Sequence, residues 1–316
     1  MRLFLGVDGG QSSTTAVIGD ETGRVLGSGS GGPCNHVEGP GGRPKFIAAI
    51  SGCVGTACRE AGLDEAEVEF ETACAGFSGG PADKQVLLGE ILRTGQLHVT
   101  TDALIALSGA TAGAPGIITI AGTGSISYGR NAAQKFARAG GWGYIFGDEG
   151  GGFDITRQAL RAIVRHEEGW GPATELREVL LSETDAADAN DLLHRFYTTD
   201  FSRPRIASFS KLVDRVAAAG DTVARNIMLN AAQQLATSTS AVRSQLFEHR
   251  EEATVSYFGG VFKSELLLER FRLLVELEDG NHVQTPQYGP ATGALIEAYR
   301  LAGLSPPLSN VPEYEK

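Results

Sequence analysis

Long apolar runs are missing from this chain of 316 residues. None approaches the roughly 18 consecutive apolar residues that a membrane-spanning helix requires. The first residues enter a predicted strand directly, without the basic and apolar regions of a secretory signal peptide. These absences predict a cytoplasmic protein without a membrane partner.

Clusters of basic residues are also missing. The chain has 27 Lys and Arg against 38 Asp and Glu, which gives a net charge of −11. Nucleic-acid binding depends on clustered Lys and Arg that displace counterions, so the composition argues against DNA or RNA as a partner. A polyphosphate can still bind an acidic protein locally, through backbone amides and a metal ion.

Cysteine is scarce, with four residues in the chain: Cys34, Cys53, Cys58 and Cys74. So few cysteines in a chain of this length do not suggest a disulfide framework. Their spacing contains no C-x-x-C pair and no histidine at zinc-site distance, so we expect four buried thiols.

The sequence supports neither of the two common nucleotide-binding motifs. The pattern G-x-x-x-x-G-K-[ST] occurs nowhere, which excludes a P-loop. Residues 27–32 match G-x-G-x-x-G, but Pro33 and further glycines follow them instead of a helix. A dinucleotide site needs that helix, because its N-terminus faces the pyrophosphate, so we reject this motif.

Glycine is abundant, with 42 residues, and it is densest in residues 140–152. Seven glycines there surround Trp142 and the acidic pair Asp148 and Glu149. Each glycine costs about 1 kcal/mol in a helix interior, so this stretch is predicted to be a loop. Such a loop either crosses the surface without function or brings its backbone close to a ligand.

The hydrophobic pattern predicts mixed α/β structure. Strands near 2–8, 15–19 and 24–27, a loop over 29–42 and a helix over 44–61 open the order β-β-β-α-β-α-β-α. A strand, glycine turn and returning strand recur at 117–129, followed mainly by helices to residue 248, so the fold is predicted to be duplicated. The predicted domains are 1–115, joined by a closing helix at 289–302, and 116–288.

Two glycine turns carry the equipment of a phosphate site. The first contains Asp8, Gly9, Gly10 and Ser12, and the second is residues 122–125 with Thr123 and Gly124. Their glycines let backbone amides approach a phosphate while the hydroxyls supply further donors. Asp8, at the end of its strand, could hold a water molecule bound to Mg²⁺.

Asp102 stands where a strand ends and a helix begins. A carboxylate at that position could accept a proton from a substrate hydroxyl. Acids at such junctions also cap helices, and the sequence alone leaves both roles open.

Taken together, the motifs resemble the N-acetylglucosamine kinase branch of the BadF/BadG/BcrA/BcrD ATPase family, within the superfamily of actin, sugar kinases and heat-shock protein 70. The resemblance covers essentially the whole chain in matching order. Its motifs are residues 6–10, Asn35-His36, 78–80, 101–103, 122–125, 140–143 with 147–150, and 259–264.

The resemblance implies two ribonuclease-H-like domains with a nucleotide and sugar cleft between them, ATP and Mg²⁺ as cofactors, and a homodimer. Asp102 matches the family's catalytic base. The other matching positions fall into a sugar set and an ATP set. The sugar set is Asn35, His36, Asp102, Gly141, Trp142, Gly143 and Asp148, and the ATP set is Gly9, Gly10, Ser12, Thr123, Gly124, Gly220, Gly260 and Ser264.

The implied reaction is transfer of a phosphoryl group from ATP to the C6 hydroxyl of N-acetylglucosamine. The motifs do not distinguish sugars that differ in the substituent at C2 or C3. Glucosamine and N-acetylmuramic acid therefore remain alternative substrates. A different class within the family, ATPases that activate iron–sulfur dehydratases or reductases, requires cysteines placed to bridge a cluster. The four cysteines here all precede residue 75, and none lies near residues 122–125.

Overall fold

The computed structural model describes residues 1–10, 13–34, 37, 41–78, 83–198 and 201–316. They divide into two compact units. Unit 1 comprises Met1–Gly116 with Thr285–Lys316, and unit 2 comprises Ile117–Gln284. Each unit is built on a five-stranded sheet of its own.

Unit 1 follows the predicted order of three strands, a helix and alternating strands and helices. Its elements are β1 (Leu3–Gly9), β2 (Thr14–Asp20), β3 (Val25–Gly31), α1 (Gly42–Glu60), β4 (Phe70–Phe77), α2 (Lys84–Ile91), β5 (Thr94–Thr101), α3 (Asp102–Ala110) and α11 (Pro290–Leu301), with a 3₁₀ turn at Glu313–Glu315. The strand order is β3-β2-β1-β4-β5, with β2 antiparallel to its neighbours and β4 parallel to β1 and β5.

Both faces of the unit 1 sheet are covered, which explains why β1 is an almost continuous apolar run. Leu5 and Val7 point to one face and pack in the cluster that includes α1. Phe4 points to the other face, where its ring lies 4.7 Å from that of Tyr299 in α11. This burial on both faces fixes the position of Asp8 at the carboxyl end of the strand.

The predicted loop over 29–42 is wrong at its start, because β3 continues to Gly31. A Cβ added to Gly27, Gly29 or Gly31 would overlap backbone atoms of α1. The alternating glycines therefore let helix α1 lie directly on the strand, and the rejected G-x-G-x-x-G match is a packing feature.

Unit 2 repeats the same topology. Its elements are β6 (Gly116–Ala121), β7 (Ser125–Arg130), β8 (Phe136–Gly140), α4 (Gly152–Glu167), α5 (Leu176–Thr184), α6 (Ala189–Tyr197), α7 (Arg203–Ser208), α8 (Ser210–Ala218), α9 (Thr222–Leu246), β9 (Ala253–Phe258), α10 (Glu265–Glu276) and β10 (Asn281–Gln284), with a 3₁₀ turn at Gly260–Lys263. The order β8-β7-β6-β9-β10 matches β3-β2-β1-β4-β5 strand for strand. Consequently the turn after β6 occupies the place that the turn after β1 has in unit 1.

The sequence did not predict β8. Its alternating residues are the exposed Phe136, the buried Ala137 and the exposed Arg138. Two alanines and an arginine give too weak an apolar alternation to mark a strand. The strand leads directly into the glycine-rich loop, so its pairing with β7 fixes where that loop begins.

Candidate functional site

Asp8 lies at the carboxyl end of β1, opposite Thr15 of β2 and Gly76 of β4. Burial raises the pKa of its carboxyl to about 7, and the negative charges of Glu315 and Asp102 act in the same direction. A positive ion bound nearby would offset the energetic cost of ionising this buried carboxyl.

The turn after Asp8 is closed by backbone hydrogen bonds. The amide of Gly10 donates to the carbonyl oxygen of Ser13 at 2.9 Å, and the amide of Cys34 donates to Gly10 at 3.3 Å. Gly9 packs against the ring of Phe77, where a larger residue would overlap it. Ser12, Asn35 and His36 lie outside the described residues.

Asp102 is the first residue of α3, and Thr101 before it caps the helix. The Thr101 hydroxyl accepts a hydrogen bond from the amide of Leu104 at 3.4 Å. The Asp102 carboxylate instead accepts one bond from the Ser78 hydroxyl at 2.7 Å and one from the amide of Ala103 at 2.9 Å. Thr101 is thus the N-cap residue of α3, and the Asp102 carboxylate is oriented by Ser78 and by the amide of Ala103.

In unit 2 the turn of residues 122–125 and the end of the glycine-rich loop form one hydrogen-bonded structure. The amides of Gly152 and Phe153 donate to the carbonyl oxygens of Gly122 and Thr123 at 2.8 and 3.1 Å. The Ser125 hydroxyl donates to the carbonyl oxygen of Glu149 at 2.7 Å. The turn of residues 122–125 and the end of the glycine-rich loop, more than 20 residues further along the chain, therefore form one hydrogen-bonded unit.

Asp148 is the centre of that element. Its side chain is 5% exposed, and its backbone has a φ of 64°, a conformation that few residues other than glycine adopt. The guanidinium of Arg203 in α7 donates to its carboxylate at 2.9 Å. A Cβ added to Gly124 would lie 2.5 Å from Cγ of Asp148. Asp148 is accordingly fixed between the turn and Arg203.

Trp142 lies in the same loop but points outward, with 64% of its surface exposed. The guanidinium of Arg138 covers the ring at 4.2 Å from its centre, a cation–π contact. Gly141 and Gly143 flank it with φ values of 72° and 84°, and the amide of Gly141 bonds the carbonyl oxygen of Ser125. The loop thus displays an aromatic ring beside the turn.

Glu149 follows Asp148 in the loop, and the sequence alone does not decide whether it contacts a sugar or supports the loop. Its exposed side chain lines an open cavity of about 340 Å³ formed with α4 and α9. Support for the loop comes instead from Asp154, which accepts from the amide of Gly150 at 3.1 Å and pairs with Arg157 at 2.6 Å.

Another cavity of unit 2, about 120 Å³, is lined by two residues of the predicted ATP set. Gly260 and Ser264 line it, together with Lys211 and Lys263, whereas Gly220 is not among the lining residues. Ser264 caps α10 through the amide of Leu267 at 3.3 Å and also donates to Asp214. Its hydroxyl is therefore engaged within the protein.

Sequence reasoning assigned no role to Ser78, Arg203, Lys211 or Lys263. Ser78 stood inside a recognised motif, and its distance from Asp102 followed only from β4 pairing with β5. Arg203 lies 55 residues from Asp148 and carries no motif of its own. Lys263 stood inside the motif of residues 259–264, whereas Lys211 belongs to no motif.

The four cysteines are free and buried, as predicted. Among the described residues, no group of three or more His, Cys, Asp or Glu side chains could enclose a metal ion. Across this same part of the chain, every helix is too short or too polar to span a bilayer.

Comparisons with known proteins agree with the predicted resemblance and fold. The sequence profile of the BadF/BadG/BcrA/BcrD ATPase family matches residues 5–298. The chain is 31% identical over 295 residues to the N-acetylmuramic acid/N-acetylglucosamine kinase of Clostridium acetobutylicum, covering 88% of this chain and 91% of the relative. It is also 31% identical over 313 residues to the N-acetyl-D-glucosamine kinase of Dictyostelium discoideum, covering 94% and 98%.

A solved structure shares the fold. The crystal structure of a candidate N-acetylglucosamine kinase from Chromobacterium violaceum superimposes with a TM-score of 0.74 at 25% identity. The match covers 94% of this chain and 98% of that one. The predicted fold, two ribonuclease-H-like α/β units of the actin and sugar-kinase type, is confirmed.

Proposed function

The chain belongs to the BadF/BadG/BcrA/BcrD ATPase family, and we propose that it is an ATP-dependent amino sugar kinase that phosphorylates the C6 hydroxyl of N-acetylglucosamine. Relatives that bear N-acetylglucosamine in their names match nearly the whole chain, which supports the substrate class. The residue-level assignments below are part of this proposal.

The single observation that carries the mechanism is the orientation of Asp102. Its carboxylate stands at the positive end of α3, bonded to Ser78 at 2.7 Å, while Thr101 takes the capping role. A carboxylate that two hydrogen bonds orient keeps further acceptor capacity for a substrate proton and is available as a general base. Asp102 accepts the proton of the C6 hydroxyl as that oxygen attacks the γ-phosphorus of ATP.

The sugar and the nucleotide have separate sets of contacts. Asn35, His36, Gly141, Trp142, Gly143 and Asp148 bind the sugar, with the exposed Trp142 ring beside it and Asp148 accepting hydroxyl hydrogen bonds. Gly9, Gly10, Ser12, Thr123 and Gly124 supply donors to the phosphates, whose charge increases during transfer. Gly260, Ser264 and Gly220 border the adenosine, with Lys211 and Lys263 lining the same cavity as the first two.

The residues around Asp8 fit a magnesium ion that would be coordinated by ATP and by water molecules. Asp8 is a hard oxygen donor whose ionisation is costly because of burial and two neighbouring carboxylates, so a divalent cation would stabilise its charged form. Bound Mg²⁺ would neutralise charge on the transferred phosphoryl group. Asp8 would act by orienting a water of that ion.

Two other substrates compete with N-acetylglucosamine. N-acetylmuramic acid is favoured by the Clostridium relative, whose name includes it, and by Arg138, a cation beside Trp142 that could face its carboxylate. Glucosamine would lack the acetyl group at C2.

The iron–sulfur activator class loses support, because all four thiols are buried inside unit 1.

A coupled ADP-release assay tests the proposal directly. The panel contains N-acetylglucosamine, glucosamine, N-acetylmannosamine, N-acetylmuramic acid and glucose, each with Mg-ATP, and the phosphorylated carbon is located by NMR. We expect the highest kcat/KM with N-acetylglucosamine and phosphate on C6. Phosphate on another carbon, or no sugar-dependent ADP release, would refute the proposal.

A further inference from the structure

The segment that follows β3 is bonded to the glycine turn after β1. The amide of Cys34 donates to the carbonyl oxygen of Gly10 at 3.3 Å. The hydroxyl of Thr14, the first residue of β2, donates to the carbonyl oxygen of Gly32 at 2.7 Å and contacts Sγ of Cys34 at 3.0 Å. Two hydrogen bonds and a sulfur contact therefore join residues 32–34 to the turn and to the strand that leaves it.

This contact region is closed to water. Thr14 has no exposed surface, and Cys34 is 2% exposed. A Cβ added to Gly9 would lie 2.8 Å from Sγ of Cys34 and would overlap the ring of Phe77, so sulfur and ring pack directly against the backbone of the turn. A hydroxyl without access to water must find its acceptor within the protein, which fixes Thr14 on the carbonyl of Gly32.

The two joined segments carry different parts of the proposed site. The turn contains Gly9 and Gly10 of the ATP set. Cys34 is followed directly in the chain by Asn35 and His36, which belong to the sugar set. A restraint on the turn is therefore passed through Cys34 to the residue that precedes the sugar motif.

From these contacts we propose that Thr14 is a positioning residue that couples the binding of the nucleotide to that of the sugar, an inference that rests on the proposed kinase function. Phosphate bound by the turn restrains it, and the Thr14 hydroxyl extends that restraint to residues 32–34. The sugar then has less conformational freedom to remove when it binds, so each substrate favours the other. Linkage makes the effect reciprocal, and the sugar strengthens nucleotide binding by the same factor.

Calorimetry measures this coupling as the ratio of two dissociation constants for N-acetylglucosamine, one without nucleotide and one with saturating Mg²⁺ and the non-hydrolysable analogue AMP-PNP. We expect a ratio of at least about five in the parent protein. Thr14→Val keeps the size of the side chain and removes the hydroxyl, so its ratio should fall below about two. Thr14→Ser keeps the hydroxyl and should retain the ratio of the parent protein. A merely structural role would lower the melting temperature of Thr14→Val and leave the ratio unchanged.

Thr72→Val is the matched control for loss of a buried strand hydroxyl. Thr72 lies in β4, is 1% exposed, and its hydroxyl has no hydrogen-bond partner in the part of the chain that the structure describes. It is paired with Phe4, at the other end of β1 from the turn, so its ratio should equal that of the parent protein. Circular dichroism at the assay temperature confirms that each variant is folded. If Thr14→Val does not fold, Cys34→Ala takes its place, because it removes the sulfur contact with Thr14.

Hydrogen–deuterium exchange provides a readout that needs no sugar. Mg²⁺ and AMP-PNP should slow the exchange of the backbone amides in a peptide covering residues 32–38 at least about threefold in the parent protein and in Thr14→Ser. The same peptide of Thr14→Val should show no such protection, although the variant still binds the nucleotide.

Two outcomes would overturn the inference: a parent protein in which AMP-PNP does not protect residues 32–38, or a Thr14→Val variant that keeps both the protection and the ratio of the parent protein. If the protection depends on Thr14 but no amino sugar binds, the proposed function fails and the positioning role of Thr14 stands. If N-acetylglucosamine is phosphorylated and Thr14→Val leaves the ratio unchanged, the proposed function stands and the coupling role of Thr14 fails.

Discussion

The carboxylate of Asp148 lies where a side chain on Gly124 would begin. A Cβ at Gly124 would come within 2.5 Å of Cγ of Asp148, and Arg203 holds the same carboxylate from the other side at 2.9 Å. The proposed sugar contact and the proposed phosphate turn therefore share one position within unit 2. A substitution at either position should therefore weaken the binding of both substrates.

Gly124→Ala tests this relationship. The added methyl must displace the Asp148 carboxylate or the turn, and overpacking of this kind costs about 1–3 kcal/mol. We expect a lower melting temperature and a higher KM for both ATP and N-acetylglucosamine, measured by calorimetry and steady-state kinetics. Gly122→Ala is the matched variant for stability, because a Cβ there meets nothing within 4 Å. Equal melting temperatures for the two variants would contradict the steric argument.

Asp102→Asn tests the proposed role of Asp102 as general base. The amide keeps the size and the acceptor oxygen for Ser78 but cannot take up the C6 proton, so kcat should fall about 100- to 10,000-fold. The dissociation constant for N-acetylglucosamine, measured by calorimetry, should change little. A variant with near-normal turnover would remove Asp102 from the chemical step.

Ser78→Ala separates orientation from proton transfer. The Asp102 carboxylate keeps its bond to the amide of Ala103 and loses the Ser78 hydroxyl. Losing one hydrogen bond to a charged group costs about 1.5 kcal/mol or more, so kcat should fall about tenfold while Asp102 remains the base. A loss as large as that of Asp102→Asn would mean that Ser78 takes part in the proton transfer itself.

Arg203→Met tests the support of Asp148 in the proposed sugar site. Hydrogen bonds to charged groups contribute about 1.5–3 kcal/mol, and the partial exposure of Arg203 favours the lower end. The KM for the sugar should therefore rise about tenfold. Arg203→Lys should lose less, because the ammonium keeps the charge although not the planar geometry.

Arg225→Met, on the exposed face of α9, is the control for loss of a positive charge. It should leave both KM values unchanged. If Arg203→Met raised only the KM for ATP, the proposed link between Arg203 and the sugar through Asp148 would be wrong.

The sequence predicted those parts of the fold that a local residue pattern marks. β1 is apolar on both faces and ends in an acid, and the Thr100-Thr101-Asp102 junction marks a strand giving way to a helix. Those local signals predicted the order of elements and the positions of Asp8 and Asp102. The repeated glycine turns likewise predicted a duplicated fold, which the equal strand orders confirm.

Contacts between distant segments could not be predicted in the same way. Arg203 reaches Asp148 only because α7 packs beside the loop, and Glu315 reaches Thr292 only because residues 303–316 turn back. Neither pair has a spacing or composition that distinguishes it from surface charge. Such pairings depend on tertiary packing, on which a single sequence carries no periodic signal.

The glycines of β3 show how one pattern can support two physical explanations, and Gly29→Ala distinguishes between them. An added methyl would overlap the backbone of α1 at Cys53, so the free energy of unfolding should fall by about 1–3 kcal/mol. If the glycines serve packing alone, the KM for ATP of the folded variant should match the parent protein. Gly32→Ala, where a Cβ meets nothing within 4 Å, should leave stability unchanged. A raised KM for ATP in Gly29→Ala at full stability would instead restore the nucleotide-binding explanation of this motif.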